Sequence, residues 1–541
     1  MTDKPPADLV VFSDLHLGEG YRARLGRYSP MEDFFHDEAF ARLLDLLRDR
    51  YSDNPSRMAM VFNGDIFDFL TVTSYPDPDA CRERGFEMTE TEKKFGLNPT
   101  PSKSVYKLDA IIAGHQPFFG AVARLVSAGH RLEILRGNHD VELFFRDVRA
   151  RFYEHLTRFP DGPSLEEAKQ RVRFHQWFYL EPERLYIEHG NQYEASNSIR
   201  YPLRPLVPER KWENHEPMLD YPLGSMFVRY YYNRIHHLNP YTPKVISFEQ
   251  YLEFIRRYNL LDLLRVARDH YPFFMAALRP QAPRGSSRPT TKGNAKQEAD
   301  FSELDDTTEP GDLYRYVDKL KVHPLAASKL ALAKGMLNPV LKRILYTGIL
   351  TFAVLYIWLV IFNVIQDQWL VESVFARAFL LLFFTLVTLV GLLWIGNYVG
   401  QRLRRQTDIS VETCAQRADL IARHAGVKLV LMGHTHVVDI RKVADGKATY
   451  ANGGTWVSVD NPWNRLVPEA RRLTFLYVMG DDVQVCRWND DASRIDRVPL
   501  FNLTEDQARE RCPAPAPTRP VEPVPRTWRR GASFEEKDTD E

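Results

Sequence analysis

The sequence predicts an α/β fold that carries a helical insertion and a hairpin of two membrane-spanning helices. Five short apolar runs, each ending in glycine or polar residues, are typical of buried strands. The later part of residues 200–280 has apolar side chains at three- and four-residue spacing, which predicts helices. Two uncharged stretches, 344–366 and 378–401, are each long enough to cross the roughly 30 Å hydrocarbon core of a bilayer.

Composition narrows the class of protein. The 541 residues contain 71 basic and 71 acidic side chains, and this balance gives no electrostatic footprint for nucleic acid. The four cysteines are far apart and form no Cys-x-x-Cys pair, so we expect reduced thiols in a cytosolic protein rather than disulfides or a zinc knuckle. The apolar run that follows the polar first eight residues is too short for a signal peptide.

Each predicted strand ends in residue types that bind metal ions. The runs 9–12, 58–62, 131–135, 185–188 and 427–432 lead, respectively, to Asp14 and His16, to Asp65 and Asp68, to Asn138, His139 and Asp140, to His189, and to His434 and His436. Sites in open α/β sheets form outside the carboxyl ends of the strands. We therefore expect these five strands to deliver their terminal side chains to one crevice.

Taken singly, each motif also has an ordinary structural explanation. Asp-x-His after a strand is often a cap or turn, Gly-Asp is a common turn dipeptide, and Asn-His-Asp could cap the next helix. Taken together, the carboxylates, imidazoles and amide match the ligands of two hard-to-borderline cations. This donor set, without cysteine, suits Mn, Fe or Zn rather than an all-oxygen Mg or Ca site.

These segments resemble the calcineurin-like metallophosphoesterase superfamily. Its five motifs, Asp-x-His, Gly-Asp-x-x-Asp, Gly-Asn-His-Asp, a strand-final His and Gly-His-x-His, are present in the family's order. The resemblance covers roughly residues 8–195 and 420–490, including the small-residue strand within 450–456. It implies a sandwich of two mixed sheets flanked by helices, whereas periodicity alone predicts only an α/β protein.

The resemblance also implies a role for each site residue. One metal ion would be held by Asp14, His16 and His436, the other by Asn138, His189 and His434, with Asp65 bridging the two. The cofactors would be two divalent ions, Mn first among them, with Fe and Zn as alternatives. Such ions clamp the oxygens of an in-line displacement and make a bridging hydroxide available at neutral pH.

The resemblance gives the residues around the ligands supporting roles. His139 would donate a proton to the leaving group as general acid, and Asp140 would orient its imidazole. Asp68 would contact the metal ligands and hold them in place without binding a metal itself. Arg136 would either contact the phosphate or form a structural salt bridge, and the sequence leaves both interpretations open.

The chain between the two halves of the site predicts a mixed organisation. We expect a first domain part at 1–199, a helical cap insertion at 200–280, a disordered linker at 281–311, a juxtamembrane helix at 312–343, a transmembrane hairpin at 344–400, a second domain part at 401–505 and a disordered tail at 506–541. The insertion could be a packed subdomain, a substrate-selecting cap, or both. Its histidines are assigned to no metal.

Charge predicts the orientation of the hairpin. Lys342 and Arg343 precede the first span, and Arg402, Arg404 and Arg405 follow the second, so both ends should be cytoplasmic. Because His434 and His436 must meet Asp14 and Asp65, the intervening chain must cross the membrane an even number of times. The alternatives are a buried helical hairpin in a soluble protein and a monotopic insertion. We expect a multi-pass inner-membrane protein with a cytoplasmic catalytic domain.

The predicted function is that of a membrane-anchored phosphoesterase or pyrophosphate hydrolase. Its partners would be the membrane and a phosphorylated small molecule, either lipid-linked or a nucleotide. The segments Asp-Leu-His-Leu-Gly and Gly-Asp-Ile-Phe-Asp resemble those of UDP-2,3-diacylglucosamine hydrolases. Those enzymes carry Arg where His139 stands and Asp where Asn191 stands, and these departures favour a more general phosphodiesterase or phosphatase.

Two functions from other classes fit less well. A membrane scaffold or sensor built on the same fold should have gaps among the seven ligand positions, and this sequence has none. A channel or carrier should place charged groups inside its spans, and both apolar stretches lack them.

Overall fold

The computed structural model describes residues 5–209, 216–233, 311–324, 348–349, 351–365, 373–404, 409–457 and 473–498. The predicted linker (apart from Gly311), the tail and most of the insertion beyond Asn233 lie outside these residues. Two sheets form the centre of the fold. Both mix parallel and antiparallel strands, and helices flank them, which confirms the predicted α/β class.

The first sheet has seven strands in the order β14-β13-β12-β1-β4-β5-β6. Its strands are β1 Asp8–Phe12, β4 Met58–Asn63, β5 Arg131–Leu135, β6 Val172–Phe174, β12 Thr474–Met479, β13 Asp482–Asn489 and β14 Arg494–Arg497. Strands β1, β4, β5 and β6 are parallel, and β12 to β14 join them in antiparallel pairing. Every residue of β1 and β4 is buried, as continuous apolar runs in parallel strands require.

The second sheet has five strands in the order β10-β11-β9-β8-β7. Its strands are β7 Phe178–Glu181, β8 Leu185–Glu188, β9 Leu429–Met432, β10 Val438–Val443 and β11 Ala448–Gly453. Strand β11 contacts β12 and β13, so the two sheets pack against each other. Gly453 permits this approach, because a Cβ there would lie 3.3 Å from the Leu476 side chain. A short hairpin, β2 Tyr21–Arg22 and β3 Arg27–Tyr28, stands apart from both sheets.

Twelve helices are present among the described residues. They are α1 Asp37–Arg50, α2 Pro78–Glu83, α3 Glu90–Phe95, α4 Pro101–Gly114, α5 Gln116–Ser127, α6 Arg146–Arg158, α7 Leu165–Arg171, α8 Leu223–Phe227, α9 Gly311–Leu320, α10 Thr351–Ile365, α11 Val374–Arg404 and α12 Ile409–Ala425. Local sequence explains several boundaries. Thr89 with Glu92, and Ser164 with Glu167, form capping boxes that satisfy the first amides of α3 and α7.

The described part of the insertion packs on the first sheet's core. Leu219, Tyr221, Met226 and Tyr230 are buried in that core, and α8 lies among them. This part therefore behaves as a packed subdomain. Whether the chain beyond Asn233 caps the site falls outside the described residues.

The helix predicted at 312–343 ends earlier than expected and packs against the domain rather than approaching the membrane segment. Helix α9 ends at Leu320, and the amide of Val322 then donates to the carbonyl of Gln192, which ties the chain to the loop after β8. Leu313, Tyr314 and Val317 are buried against the second sheet and α12. Helix α9 is thus part of the domain core, because its apolar face is covered by the second sheet.

The two predicted membrane spans differ in length. Within the described part of the chain, one helical segment, Val374–Leu392 of α11, is long and apolar enough to cross a membrane. Helix α10 is apolar but shorter. The second span also begins earlier than residue 378, at Val374. A transmembrane hairpin therefore remains a prediction.

Candidate metal centre

Three neighbouring strands of the first sheet deliver the first group of site residues. Past its end, β1 continues to pair with the loop after β4, since the amide of Asp14 donates to Gly64 at 3.1 Å and that of His16 to Asp65 at 2.9 Å. The loop after β5 joins them, because the amide of His139 donates to Oδ1 of Asp65 at 2.7 Å. Adjacent parallel strands therefore bring three sequence motifs to one edge.

The second sheet delivers the remaining residues. Strands β8 and β9 are parallel neighbours and end at His189 and at the loop that holds His434 and His436. The amide of His434 donates to Oδ2 of Asp14 at 2.9 Å, which joins the two sheets at the site. The structure thus assembles side chains from distant parts of the sequence, as the motifs predicted.

Two groups of side chains have the geometry of metal sites. Asp14, His16 and His436 form one group and Asp65, His189 and His434 the other, with one potential ligand atom from each residue within 4.8 Å of the others. In the first group, Nε2 of His436 lies 3.2 Å from Nε2 of His16 and 3.2 Å from Oδ1 of Asp14. In the second, Nε2 of His189 lies 3.2 Å from Oδ2 of Asp65.

Asn138 completes the predicted set. Its side-chain oxygen is buried and accepts no hydrogen bond from the part of the chain that the structure describes. A buried amide oxygen without a partner is costly, and a bound cation would satisfy it. Both neighbours of Asn138 touch Asp65, because the His139 amide donates to it and Gly137 packs on it. The residues present therefore fit divalent metal ions. The assignment of each ligand stays a prediction.

A third group contains His139. His16, Asp65 and His139 also offer ligand atoms within 4.8 Å of one another. Proximity alone therefore does not separate His139 from the ligands. Its role as general acid rests on its separate carboxylate partner, Asp68.

The backbone at the site is strained. Five of the seven predicted ligands have a positive φ, namely Asp14 at 55°, His16 at 50°, Asp65 at 53°, His434 at 66° and His436 at 58°. Non-glycine residues in this region cost about 1–3 kcal/mol each and persist where the surroundings hold them, most often at functional sites. Such strain fits a site in which the fold holds these side chains toward a common ligand, at a cost in folding free energy.

Two glycines of the motifs pack so closely against site carboxylates that no side chain would fit. A Cβ on Gly137 would lie 2.1 Å from Oδ1 of Asp65, and one on Gly433 would lie 2.7 Å from Oδ2 of Asp14. Any side chain at these positions would displace a carboxylate of the site. This is why the chain carries Gly before Asn138 and before His434.

Hydrogen bonds behind the ligands fix their orientation. Nδ1 of His189 donates to the carbonyl of Asn63 at 2.9 Å, which leaves Nε2 as the free nitrogen. Nε2 of His434 lies 2.7 Å from Oε2 of Glu194. Sequence reasoning missed Glu194. The available signal was an acidic residue five positions after the strand-final His189.

Asp68, rather than Asp140, is the partner of His139. Oδ2 of Asp68 lies 3.0 Å from Nδ1 of His139. The carboxylate of Asp140 instead accepts from the amides of Gly137 at 2.6 Å and Ile66 at 3.0 Å, and so holds two site loops together. The expectation that Asp140 orients the imidazole is corrected, because its oxygens are taken up by the backbone.

The carboxylates of this buried site favour the protonated forms of His139 and His189. Burial would lower the pKa of His139, but the carboxylates of Asp68 and Asp65 outweigh it and raise that pKa to about 9. Burial would also lower the pKa of His189, and Asp65 and Asp14 raise it to about 10. Burial and the charge of Asp65 together raise the pKa of Asp140 to about 7. These shifts follow from several carboxylates held in a space with little water.

Arg136 does not form the predicted salt bridge with the part of the chain that the structure describes. Its guanidinium donates to the backbone carbonyls of Gln176 and, at 3.0 Å, Pro202, and it lies over the ring of Phe144. No acidic partner is among these contacts, so the salt bridge is not formed. The phosphate contact stays a prediction, because the guanidinium has more N–H donors than the two bonds to these carbonyls use.

Comparison with known families agrees with this geometry. Residues 8–264 match the family model described as calcineurin-like phosphoesterase. No curated protein matches the chain. The matched range contains Asp14, His16, Asp65, Asn138 and His189, while His434 and His436 lie beyond it on the same sheet edge. The chain therefore carries a calcineurin-like phosphoesterase domain over residues 8–264, and this domain indicates a metal-dependent phosphoester hydrolase.

Proposed function

We propose that this protein is a membrane-anchored phosphoesterase that uses two divalent metal ions to hydrolyse a phosphate mono- or diester or a pyrophosphate. The observation that carries the proposal is the presence of two adjacent three-residue ligand groups, linked by His16 and Asp65, which share a third group. Asp65 belongs to the second group and, with His16 of the first group, to the third, and it accepts the amide of His139. This supports its role as the bridging ligand.

The chemistry divides between the ions and the chain. When bound, two cations of this kind polarise the phosphoryl group and make hydroxide available at neutral pH. His139 is proposed to donate a proton to the leaving oxygen, and Asp68 keeps its imidazole protonated and oriented. Asp14, His16 and His436 would hold one ion, Asn138, His189 and His434 the other. Mn is the first candidate for both, on the imidazole and carboxylate donors.

Two observations support membrane anchoring: an exposed apolar helix surface and a contact between two apolar helices. None of the Val374–Leu392 segment is buried against the rest of the chain, whereas an apolar helix in a soluble core would be covered. Nε1 of Trp358 on α10 donates to Oγ1 of Thr385 on α11 at 3.3 Å. A hydrogen bond of this kind between apolar helices supports a paired hairpin. We place the catalytic domain at the cytoplasmic face of an inner membrane.

Anchoring favours a substrate found at the membrane surface. The proposed substrate is a phosphorylated small molecule, with a lipid-linked pyrophosphate or a nucleotide as the two classes to test. His139 in the place of Arg favours acid-catalysed cleavage of a general diester.

The test is turnover by the purified full-length protein in detergent with Mn added. An aryl phosphodiester should be hydrolysed, and the Asp65→Ala variant should lose at least about a thousandfold of the rate, since it removes the bridging carboxylate. Turnover no higher than that of the Asp65→Ala control would reject the proposal. UDP-diacylglucosamine in the same assay tests the lipid class, and an intact pyrophosphate bond there would exclude that substrate.

A further inference from the structure

A cavity lined by charged and apolar side chains includes Arg136, two residues before Asn138, but contains none of the proposed metal ligands. It has a volume of about 690 Å³, within the range of small-molecule sites. Its charged lining consists of Arg136, Arg146, Arg149 and Arg204, with His175 and one acidic residue, Asp147. Arginines outnumber the one carboxylate in this lining. Arg136 and Arg204 also have contacts within the protein, so the excess positive charge is assigned to Arg146 and Arg149.

Part of this charge is not neutralised by the protein. Arg146 and Arg149 make no ion pair or hydrogen bond with the described part of the chain through their side chains. Arg149 is half-buried, and burial together with the nearby charge of Arg146 lowers its pKa. Holding like charges together costs free energy, and an anion bound in the cavity would offset that repulsion.

The N-terminus of helix α6 also contributes positive potential to the cavity. Helix α6 has thirteen residues and begins at Arg146 beside the cavity. Phe145 precedes the helix and provides no side-chain acceptor for its first amides. The positive end of the helix dipole and its free amides therefore favour an anion here, in addition to the arginines.

The remaining walls are apolar. Phe144, Phe145, Phe174 and Leu203 line the cavity beside the charged groups. A site for inorganic phosphate alone would not need this surface, whereas an organic phosphate would cover it with its base or other apolar part. Guanidinium groups bind phosphate oxygens in pairs, so the cavity combines charge with a platform for a ring.

We propose that this cavity is a second, metal-independent binding site for a phosphorylated organic anion of nucleotide size. The inference goes beyond the hydrolytic function, because no proposed metal ligand lines the cavity. Arg136 lies at the start of the loop that carries Asn138 and His139, so the cavity adjoins this loop.

The test measures binding without metal. Full-length protein in detergent and excess EDTA is titrated calorimetrically with ADP and with inorganic pyrophosphate. We expect one ADP per chain, bound more tightly than pyrophosphate because the apolar walls contribute. Arg149→Ala should weaken ADP binding at least about tenfold, since it removes a charge-assisted contact. Arg158→Ala is the matched control on the same helix, exposed and 3.6 Å from Glu154, and should bind as the wild type does.

The outcomes separate this site from the metal centre. Equal ADP affinity in Arg149→Ala and Arg158→Ala would overturn the proposal, as would ADP binding that appears only with added Mn. Pyrophosphate binding as tightly as ADP would overturn its organic-anion part. Equal melting temperatures of the two variants check folding, and exposed Arg146→Ala carries the test if Arg149→Ala does not fold. Hydrolysis of the aryl phosphodiester is measured separately, so either proposal can fail alone.

Discussion

The carboxylate of Asp68 lies 3.0 Å from Nδ1 of His139, and the same oxygen lies 3.4 Å from Nδ1 of His16. One buried acid therefore faces both the proposed general acid and a proposed metal ligand. Desolvation raises the pKa of Asp68, yet the two imidazoles outweigh it and hold that pKa well below its ordinary value. Asp68 is thus charged near neutral pH, and it stabilises protonated His139.

Asp68→Asn should move the alkaline limb of the rate profile. A general acid works while it is protonated, so the limb falls where His139 loses its proton. Removing the Asp68 charge lowers the pKa of His139, and the limb should shift to lower pH by about one unit or more. The kcat of an alkyl phosphodiester against pH, with Mn present, measures this. Asp140→Asn is the comparison, and an identical shift in both variants would contradict the pairing.

The loss of rate in His139→Gln should depend on the leaving group of the substrate. With a nitrophenyl diester, whose phenolate leaves without a proton, the rate should fall little. With an alkyl diester it should fall by about 10²–10⁴, the usual contribution of a general acid. The metal content should be unchanged. If both substrates lose the same factor and one metal ion is lost, His139 is a ligand, as its grouping with His16 and Asp65 would allow.

Glu194→Gln should weaken metal binding. Glu194 lies 2.7 Å from His434, and carboxylates behind ligating histidines contribute about 10–100-fold to metal affinity. Titration of the metal-free protein with Mn measures the effect. Glu154→Gln, on the outer side of α6 and about half exposed, is the control. An unchanged Mn affinity in Glu194→Gln would show that the contact is incidental.

His115 should make stability depend on pH. It is buried between Asp37 at 2.9 Å and Glu32 at 3.3 Å. Burial would lower its pKa, but hydrogen bonds to these carboxylates raise it to about 9. The folded state thus holds a proton that the unfolded chain releases near pH 6.5. This stabilisation is complete below about pH 6.5 and is lost as pH rises through about 9, on the order of 3 kcal/mol.

Melting temperatures of the metal-free protein between pH 6.5 and 9.5 test this linkage. The wild type should lose stability over that range relative to His115→Gln, which has no proton to release there. The gap between the two proteins should narrow as pH rises. A constant gap would show that His115 is neutral in the folded protein.

Deletion of residues 344–400 should release the protein from membranes. The segment holds the exposed apolar surface of α10 and α11, while the proposed metal ligands lie outside it. Carbonate extraction of membranes should leave the full chain in the pellet and the deletion variant in the supernatant. The Mn affinity of the two should agree. A deletion variant that stays in the pellet would show that another surface anchors the protein.

The sequence indicated which side chains lie close together, because each of them follows a buried strand. Asp14, Asp65, Asn138, His189 and His434 each follow a buried apolar run, and parallel pairing brings such ends together. The arrangement of two mixed sheets came from the resemblance, since periodicity does not reveal which strands pair. The strands β12 to β14, which complete the first sheet, carry no motif and were not predicted individually.

The partners of the ligands were harder to predict. Asp140 is next to His139 in the sequence, but its carboxylate turns back to the amides of Gly137 and Ile66. Asp68 reaches His139 only through the fold, from the loop after β4. Glu194 meets His434 across 240 residues, so its position after His189 marks it as a candidate but does not identify its partner. Contacts of this kind depend on tertiary packing rather than on local pattern.

The most direct test of a two-metal centre is a count of bound metal ions. Elemental analysis of the full-length protein, reconstituted with Mn and freed of excess, should give two ions per chain. His436→Ala and His189→Ala should each give one, because they belong to different groups. Asp65→Ala should give fewer than either, because Asp65 is the proposed bridge between the two ions. A wild-type count of one, or a count that neither histidine variant changes, would contradict the two-metal account.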